Sequence, residues 1–294
     1  LADEQLVQIT TLGFRGEALP SIAAVSRLLL TSRTAGLDAA WALAVSGGDT
    51  GPVTPAAGAA GTTVEVRDLF FKVPARLKFL RAERSEAEAA QEVVRRLALA
   101  RPELAFALHV DGRPVFRAEP LGQLFAGALL HRLGQVMGRE FVANAIELEA
   151  ERDGLRLTGF IGLPTFSRRD ARAQHLFVNR RAVQDRLLKQ ALRAAYSDLL
   201  FHDRQPVAAL FLDLPPDLVD VNVHPAKAEV RFRDPALVRG LVVGGLKRAL
   251  AEHAQGVAKL TEQIRRNDSK LAEIKSRKAE PTLAGATPAR KEKE

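Results

Sequence analysis

The sequence predicts an α+β fold in two domains followed by a helical or disordered tail. Short runs with strand-like alternation fall in two blocks, and each block also contains runs with the apolar periodicity of a helix. The chain has 294 residues, of which 47% are hydrophobic, enough for a sizeable core but long for one compact domain. We place the domains at residues 1–120 and 121–254, and the tail at residues 255–294.

Local patterns predict the elements of the first domain in order. A glycine-spaced turn opens into a short apolar helix that ends near Ser26. Ser85 with Glu88 forms a capping box for a following helix. The dipeptide Asp111-Gly112 is a strong hairpin signal between two strand-like runs. The predicted strands are 28–32, 40–45, 63–70, 104–110 and 114–117, the helix is 87–99, and the Gly, Pro and Ala-rich residues 47–61 are a loop.

The second domain begins after a polar turn at Glu119-Pro120. Its predicted strands are 146–149, 155–161, 174–178, 207–214 and 218–223, and its helices are 121–136, 184–200 and 235–253. In the tail, apolar residues recur at alternating spacings of three and four, as in a short coiled coil with one polar position. The alternative is a solvent-exposed helix, and beyond Glu280 the composition predicts disorder.

Composition limits the function classes. The sequence contains no cysteine, and its six histidines lack the spacing of a metal-ligand pair, so we expect neither disulfides nor a metal held by this chain alone. No apolar run is long enough to span a bilayer, and we expect a cytosolic protein. The net charge of +8 indicates an anionic partner. Eight arginines and lysines against two aspartates lie within residues 168–193, which makes that segment the main basic region.

The turn at Gly13 and Gly16 has a composition suited to phosphate. The two glycines remove side-chain bulk next to a helix start, where unpaired N–H groups attract anions. Two glycines three residues apart are also compatible with an ordinary helix cap. The surrounding motifs are therefore needed to interpret it.

Three motifs occur in an order that resembles one family. The first is Gly13-Phe-Arg-Gly-Glu-Ala-Leu19 with the Ser-Arg and Thr-Ser-Arg runs that follow it. The second is Gly61-Thr-Thr-Val-Glu-Val66 followed by Pro74-Ala-Arg-Leu-Lys-Phe-Leu80. The third is Asp220-Val-Asn-Val-His-Pro-Ala-Lys227 running into Glu-Val-Arg-Phe232. Over about residues 5 to 250 the chain resembles the MutL family of DNA mismatch-repair proteins, which belongs to the GHKL class of ATPases.

The resemblance implies the rear part of a GHKL ATPase α/β sandwich, followed by a transducer domain with a left-handed βαβ crossover. It also implies ATP as the cofactor. The matching positions are Gly13, Arg15 and Gly16 in the phosphate lid, Thr63 on a strand facing the nucleotide, and Lys227 as the catalytic lysine that reaches the γ-phosphate. From the residues alone, Arg15 is also compatible with a surface arginine, Thr63 with strand propensity, and Lys227 with a solvated loop.

The family's general-base Glu, its Mg²⁺ ligand and its adenine-binding Asp-x-Gly-x-Gly motif precede the glycine turn, and none of them occurs in this sequence. The chain starts with Leu1, so we expect an interior start and a chain that does not hydrolyse ATP alone. By resemblance, the magnesium ligands belong to that upstream segment.

Arg186 matches the family position implicated in DNA contact. Lys189 and Arg193 follow on the same helical face, and Arg181 precedes them in the basic region. With aromatic residues at only 5%, the sequence lacks a stacking platform, so we expect salt-dependent phosphate contacts without sequence preference. An ordinary basic helix face is the alternative.

The resemblance implies several partners. They are double- and single-stranded DNA, a MutS-type mismatch sensor, a nicking endonuclease, a helicase and a second copy of the chain, in the bacterial cytoplasm on the nucleoid. The expected role is that of an ATP-dependent matchmaker that couples mismatch recognition to downstream repair enzymes.

Two other functions stay open. A type IIB topoisomerase or gyrase-like subunit shares the lid and the lysine but should lack the Pro74-Ala-Arg76 block. A DNA-binding or scaffold fragment without nucleotide activity is the other alternative.

Two residues depart from the family pattern. Arg180 replaces a usual glycine in a turn, and Lys72 replaces a usual asparagine, which leaves both local conformations open.

Overall fold

The computed structural model describes residues 16–120, 127–221, 223 and 229–279, with side chains described up to residue 271. In the first part, the helices are α1 (Ala18–Ala23), α2 (Pro74–Leu77) and α3 (Glu83–Ala100), and the strands are β1 (Arg27–Arg33), β2 (Ala40–Ser46), β3 (Asp49–Ala56), β4 (Gly61–Arg67), β5 (Phe106–Val110) and β6 (Arg113–Ala118).

In the second part, the helices are α4 (Ala128–Met137), α5 (Arg139–Ala143), α6 (Arg186–Ala195) and α7 (Pro235–Ala279), with a 3-10 turn at Pro216–Leu218. The strands are β7 (Ala145–Arg152), β8 (Leu155–Gly162), β9 (Ser167–Arg168), β10 (Gln174–Val178), β11 (Arg181–Val183), β12 (Gln205–Pro206), β13 (Ala208–Asp213), β14 (Val219–Asp220) and β15 (Arg231–Phe232). The predicted α+β class is confirmed.

The first sheet has four antiparallel strands in the order β3-β2-β1-β4. It confirms the three strands predicted for this region but shows that the predicted loop over residues 47–61 is wrong, because β3 occupies most of it. The cause is the Gly47-Gly48 dipeptide, in which both residues have positive φ and form a two-residue turn between β2 and β3. The sequence therefore contained a turn signal at Gly47-Gly48. The Gly and Pro residues of β3 itself made the following segment resemble a loop.

The predicted capping box at Ser85 and Glu88 is also wrong. Helix α3 begins earlier, at Glu83, and no side chain caps its N-terminus at Ala82. Glu86 instead accepts hydrogen bonds from the backbone N and the side chain of Arg81, at 3.1 and 2.9 Å. Acidic residues in the first turn are favoured by the helix dipole, which allows the helix to extend past the predicted cap.

The Asp111-Gly112 hairpin is confirmed. Both turn residues have positive φ, 51° and 73°, as a type I′ turn requires, and they join β5 to β6. This hairpin packs against α3 through Phe116, Ala118 and Ala98, which form a small separate core.

The second sheet is mixed, in the order β11-β10-β13-β8-β7, and is covered on both faces. The chain passes from β10 through β11 and α6 to β13, which pairs parallel to β10 and so forms a βαβ crossover. One face buries residues of α6 and α7, such as Leu192 and Leu246. The other buries Leu99 of α3, Leu133 of α4 and Phe141 of α5. The end of α3 therefore contributes to the core of the second sheet. The left-handed sense of the crossover and the domain boundaries stay predictions.

Helix α7 extends far beyond the predicted end at residue 253. It starts at Pro235, and the Asp234 carboxylate accepts the Leu237 amide at 2.9 Å, in the manner of an N-cap. Its first half packs on the sheet. The coiled-coil positions of the tail lie on the second half of the same helix, where the described apolar members are exposed: Val257, Leu260, Ile264 and Leu271. Their association stays a prediction, and the predicted disorder beyond Glu280 concerns residues outside the described ranges.

The Arg180 position keeps the turn that a glycine would favour. Asn179 and Arg180 have φ of 47° and 62° and connect β10 to β11. Asn179 fixes the turn by exchanging two hydrogen bonds with the backbone of Leu214, both at 2.9 Å. Arg180 is therefore held in a left-handed conformation that its side chain disfavours.

We expect Arg180→Gly to raise the free energy of unfolding by about 1 kcal/mol, because glycine adopts this conformation without strain. Thermal denaturation of the two proteins tests the expectation. Arg181→Gly, which removes a side chain from strand β11, serves as the control and should destabilise the protein. A lower melting temperature for Arg180→Gly would show that the arginine side chain stabilises the turn by other contacts.

The Lys72 departure has a structural explanation. The Lys72 ammonium donates to the Gly47 carbonyl at 2.8 Å and lies 3.3 Å from the Asp49 carboxylate. It thus connects the segment before α2 to the β2–β3 turn. At Gly47 an added Cβ would lie 2.3 Å from Lys72 Cε, so the glycine also makes room for the lysine.

Candidate nucleic-acid interface

Helix α6 separates apolar and basic side chains onto opposite faces. Its buried residues, Leu188, Ala191, Leu192 and Ala195, face the sheet core. Arg186, Lys189 and Arg193 are three and four residues apart and therefore share the opposite face. Arg186 and Arg193 are exposed, and Lys189 is half-buried. The structure thus brings together three of the four predicted DNA-contacting residues.

The start of α6 is fixed by Asp185, which is itself buried. Its carboxylate accepts the Leu188 amide at 2.9 Å, so it caps the helix N-terminus. Burial raises the pKa of this carboxyl, and the hydrogen bonds from the Leu188 and Leu187 amides oppose that effect. This cap holds Arg186, the first helical residue, at a fixed place on the surface.

The other basic residues of this region have identifiable positions. The Lys189 ammonium donates to the Gln184 side chain at 2.5 Å, and the Arg193 guanidinium donates to the His202 carbonyl at 3.2 Å. Arg181 opens strand β11 and is half-buried, and burial lowers the pKa of its guanidinium. Arg181 is therefore less accessible to DNA than Arg186 and Arg193.

The described part of the predicted nucleotide site is small. Gly16 is exposed and has a φ of 66°, and a Cβ there would meet no atom of the described residues within 4 Å. The helix that follows, α1, has six residues and is confirmed. Gly13 and Arg15 lie outside the described residues, and their roles stay predictions.

Thr63 lies on the edge strand β4, opposite Thr31 of β1. It is exposed, and its hydroxyl has no hydrogen-bond partner in the described ranges. The neighbouring Thr62, on the opposite face, lies 2.9 Å from the Ser32 hydroxyl. Of the two threonines, Thr63 has the hydroxyl that is available to a ligand.

Lys227 lies outside the described residues. The strands on either side of it pair with each other: Asp220 of β14 is opposite Arg231 of β15, and Val219 is opposite Phe232. Whether the lysine approaches the glycine turn stays a prediction.

A group of basic side chains that the sequence analysis did not single out lines a cleft beside α3. We call it the arginine cleft and define it by Arg81, Arg95, Arg96, Arg168, Arg172 and His175. Arg95 and Arg96 belong to a helix with ordinary periodicity, and Arg81 lies just before its start. The other three members come from a segment more than 70 residues further along the chain. Sequence spacing therefore gave no sign of the cluster.

The described ranges hold neither a candidate metal site nor a candidate membrane span. They contain no group of three or more His, Cys, Asp or Glu side chains placed to hold a metal ion. They also contain no helix that is both long and apolar enough to cross a membrane.

Comparisons with known proteins agree with this geometry. Residues 133–251 match the family described as "DNA mismatch repair protein, C-terminal domain". The MutL proteins of Paramagnetospirillum magneticum and Rhodospirillum rubrum are each 58% identical over 256 and 252 residues, which is 85% of this chain and 41% and 40% of theirs. The chain therefore spans about two fifths of the length of the curated relatives it matches.

Solved structures give the class of the fold. The Aquifex aeolicus MutL ATPase domain complexed with ADP is similar at a TM-score of 0.56 and 27% identity, over 82% of this chain and 80% of that one. The N-terminal domain of a DNA repair protein is similar at a TM-score of 0.72 over 85% and 79% of the two chains, and at 22% identity it supports the fold alone.

Together, the two sheets and this similarity define a protein of the GHKL ATPase class. Within that class, the sequence identities are decisive. The chain belongs to the MutL family of DNA mismatch-repair proteins. The sequence identities favour this family over the topoisomerase-like alternative.

Proposed function

We propose that the protein is a DNA-binding, ATP-responsive component of mismatch repair. The observation that carries the proposal is the basic face of α6 in a chain that is 58% identical to proteins named MutL. Phosphate contacts from arginine and lysine hold DNA without reading its sequence. A protein that must act wherever a mismatch occurs requires this kind of binding.

The α6 face suits phosphate binding for two physical reasons. Arg186 lies at the first helical position, close to the partial positive charge of the helix N-terminus, which adds to its own charge. The buried face of α6 fixes the helix on the sheet, so its basic residues approach DNA without a large loss of conformational entropy.

The nucleotide would be held by residues from both parts of the chain. We propose that the backbone at Gly13 and Gly16, with Arg15, binds the phosphates, that Thr63 contributes its hydroxyl, and that Lys227 contacts the γ-phosphate. A γ-phosphate held in this way gives ATP and ADP different contacts with the protein. That difference is what allows a nucleotide to shift a conformational equilibrium. ATP supplies the phosphoanhydride bond, and Mg²⁺ is implied by the resemblance alone.

The remaining family properties are part of the proposal. We infer a matchmaker that dimerises and works with a mismatch sensor, a nicking endonuclease and a helicase on nucleoid DNA in the cytoplasm. The proposed domains are residues 1–120, 121–254 and 255–294. With no general-base Glu motif in the 294 residues, we expect this chain alone to bind DNA but to show no ATP turnover.

Arg186→Glu tests the DNA-binding surface. We expect duplex affinity to fall by about tenfold or more, because the change removes one phosphate contact and adds a repelling charge. Thermal stability should not fall, since a glutamate in the first turn of a helix is favoured by the dipole. Fluorescence anisotropy with a labelled duplex and a melting curve measure both.

The matched control is Arg113→Glu, the same charge reversal at an exposed arginine at the start of β6. It should change affinity much less than Arg186→Glu. Equal losses from the two variants would mean that net charge, and not the α6 face, governs binding.

A further inference from the structure

The arginine cleft has a volume of about 740 Å³, within the range of sites that bind small organic ligands. It lies between α3 and the chain around β9 and β10, whereas α6 packs on the opposite face of the second sheet. Five arginines line it, and two of them are in close ion pairs, Arg81 with Glu86 and Arg96 with Glu92, both at 2.9 Å. The carboxylates nearest Arg168 and Arg172 lie at 3.9 and 4.0 Å, and Arg95 has no ion pair in the described ranges, so these three arginines are the ones that can pair with an anionic ligand.

Two buried polar atoms in the cleft lack partners. Arg95 Nε is buried, and the described ranges provide it with no hydrogen bond. The neighbouring Arg96 is different, since it donates to Glu92 at 2.9 Å. Buried donors without a partner are uncommon in folded proteins, and one that lines a cleft is available to a group bound there.

His175 is the second such residue and lies at the base of the cleft. Its side chain is only 6% exposed, and its Nδ1 has no hydrogen-bond partner in the described ranges, the nearest carboxylate being Glu92 at 3.9 Å. Burial, with smaller contributions from Arg96 and Arg95, lowers its pKa to about 4. The imidazole is thus neutral at physiological pH and can donate one N–H to an anionic oxygen.

The cleft also has an aromatic side. The Phe166 ring is half-buried, lies 6.3 Å from the Phe141 ring, and is covered by the Arg168 guanidinium at 4.9 Å. A planar heterocycle can stack on such a pair of phenylalanine and arginine. Inorganic phosphate alone would leave this surface unused.

We propose that the arginine cleft binds one nucleotide unit, with its phosphate at Arg95, Arg172 and His175 and its base against Phe166. The unit is either a free mononucleotide or an unpaired nucleotide of a DNA strand, since both present the same phosphate and base. In the strand form, the inference rests on the proposed DNA-binding function. The site lies on the opposite face of the second sheet from α6.

The test uses the full chain and four probes: dTMP, thymidine, hexathymidylate and pyrophosphate. Calorimetry should show that dTMP binds much more tightly than thymidine. The variant Arg95→Gln/Arg172→Gln should weaken dTMP binding by about tenfold or more, because it removes two charge-assisted contacts. Arg113→Gln, at an exposed arginine outside the cleft, is the control and should change nothing.

A second variant and a second readout guard against a folding defect. Phe166→Leu keeps the apolar volume and removes the stacking ring, so it should weaken dTMP binding but leave pyrophosphate binding unchanged. The NMR signal of the His175 imidazole, assigned by its loss in His175→Gln, should move when dTMP is added to the unmodified chain.

If hexathymidylate binds more tightly than dTMP, and the double variant loses this difference, the ligand is an unpaired nucleotide of a DNA strand. Equal binding of the two probes identifies a free nucleotide. Unchanged dTMP affinity in the double variant, or a His175 signal that does not respond, overturns the proposal. Duplex binding through α6 is judged separately by Arg186→Glu, so either inference can fail while the other holds.

Discussion

Gly159→Ala is expected to lower the free energy of unfolding by more than about 4 kcal/mol, enough to threaten folding. Gly159 lies in β8, between β13 and β7 in the five-stranded sheet, and has a φ of 142° that a side chain disfavours. An added Cβ would lie 2.1 Å from the Ala209 carbonyl oxygen and 3.1 Å from Leu210 Cα. Because both are backbone atoms of a central strand, they cannot move aside without breaking the ladder.

Gly154→Ala is the matched control, because it separates steric clash from backbone strain. Gly154 has a φ of 77°, but an added Cβ there would meet nothing within 4 Å. It should cost about 1 kcal/mol, the strain alone. Chemical denaturation of both variants measures the difference. Similar losses would show that the β8–β13 contact relaxes easily, contrary to our description of the sheet.

Arg132→Met is expected to destabilise the protein by about 3–5 kcal/mol. Arg132 is fully buried, at 0% exposure. Its Nη2 donates to the carbonyls of Pro102 and Leu104 at 2.6 Å and of Glu119 at 2.8 Å. These carbonyls lie just outside the two ends of the β5–β6 hairpin, so one side chain of α4 fixes both. Methionine fills much of the volume but removes the donor that these three carbonyls share.

Burial lowers the pKa of the Arg132 guanidinium, with Glu103 and Glu119 opposing the effect. The side chain remains charged, because its ordinary pKa lies far above neutrality. Arg113→Met, at an exposed arginine on the same hairpin, should change stability by less than about 0.5 kcal/mol. If both variants melt at the same temperature, Arg132 does not support the hairpin.

The sequence predicted regular elements well where a pattern had one interpretation. Residues 174–178 were predicted as a strand with the observed bounds, and Asp111-Gly112 as the hairpin turn. Both rest on local physics: a short run ending in Leu, Phe and Val in one case, and a dipeptide that tolerates positive φ in the other. The strand β3 was missed because Gly and Pro, which usually mark loops, are tolerated on the edge strand it forms.

Sites depend on contacts that sequence spacing does not contain. The α6 face was predictable, because residues three and four apart on a helix must share a side. The arginine cleft was not, because it joins α3 to residues some 70 positions further along the chain. Arg132 was equally hidden, since an arginine with three carbonyl partners looks like any other charged residue of an amphipathic helix. The resemblance to MutL identified residues such as Lys227 and Thr63, but geometry alone would not have selected them.

The most direct test of the central claim, that this chain holds DNA by its phosphates, is the salt dependence of duplex affinity for the unmodified chain. Two duplexes of unrelated sequence should bind equally, and log affinity should fall linearly with log salt with a slope of about −3, one unit for each α6 residue in contact. Replacing Arg186, Lys189 and Arg193 with glutamine should remove most of that slope. Strong preference for one duplex, or an unchanged slope in the triple variant, would contradict the account.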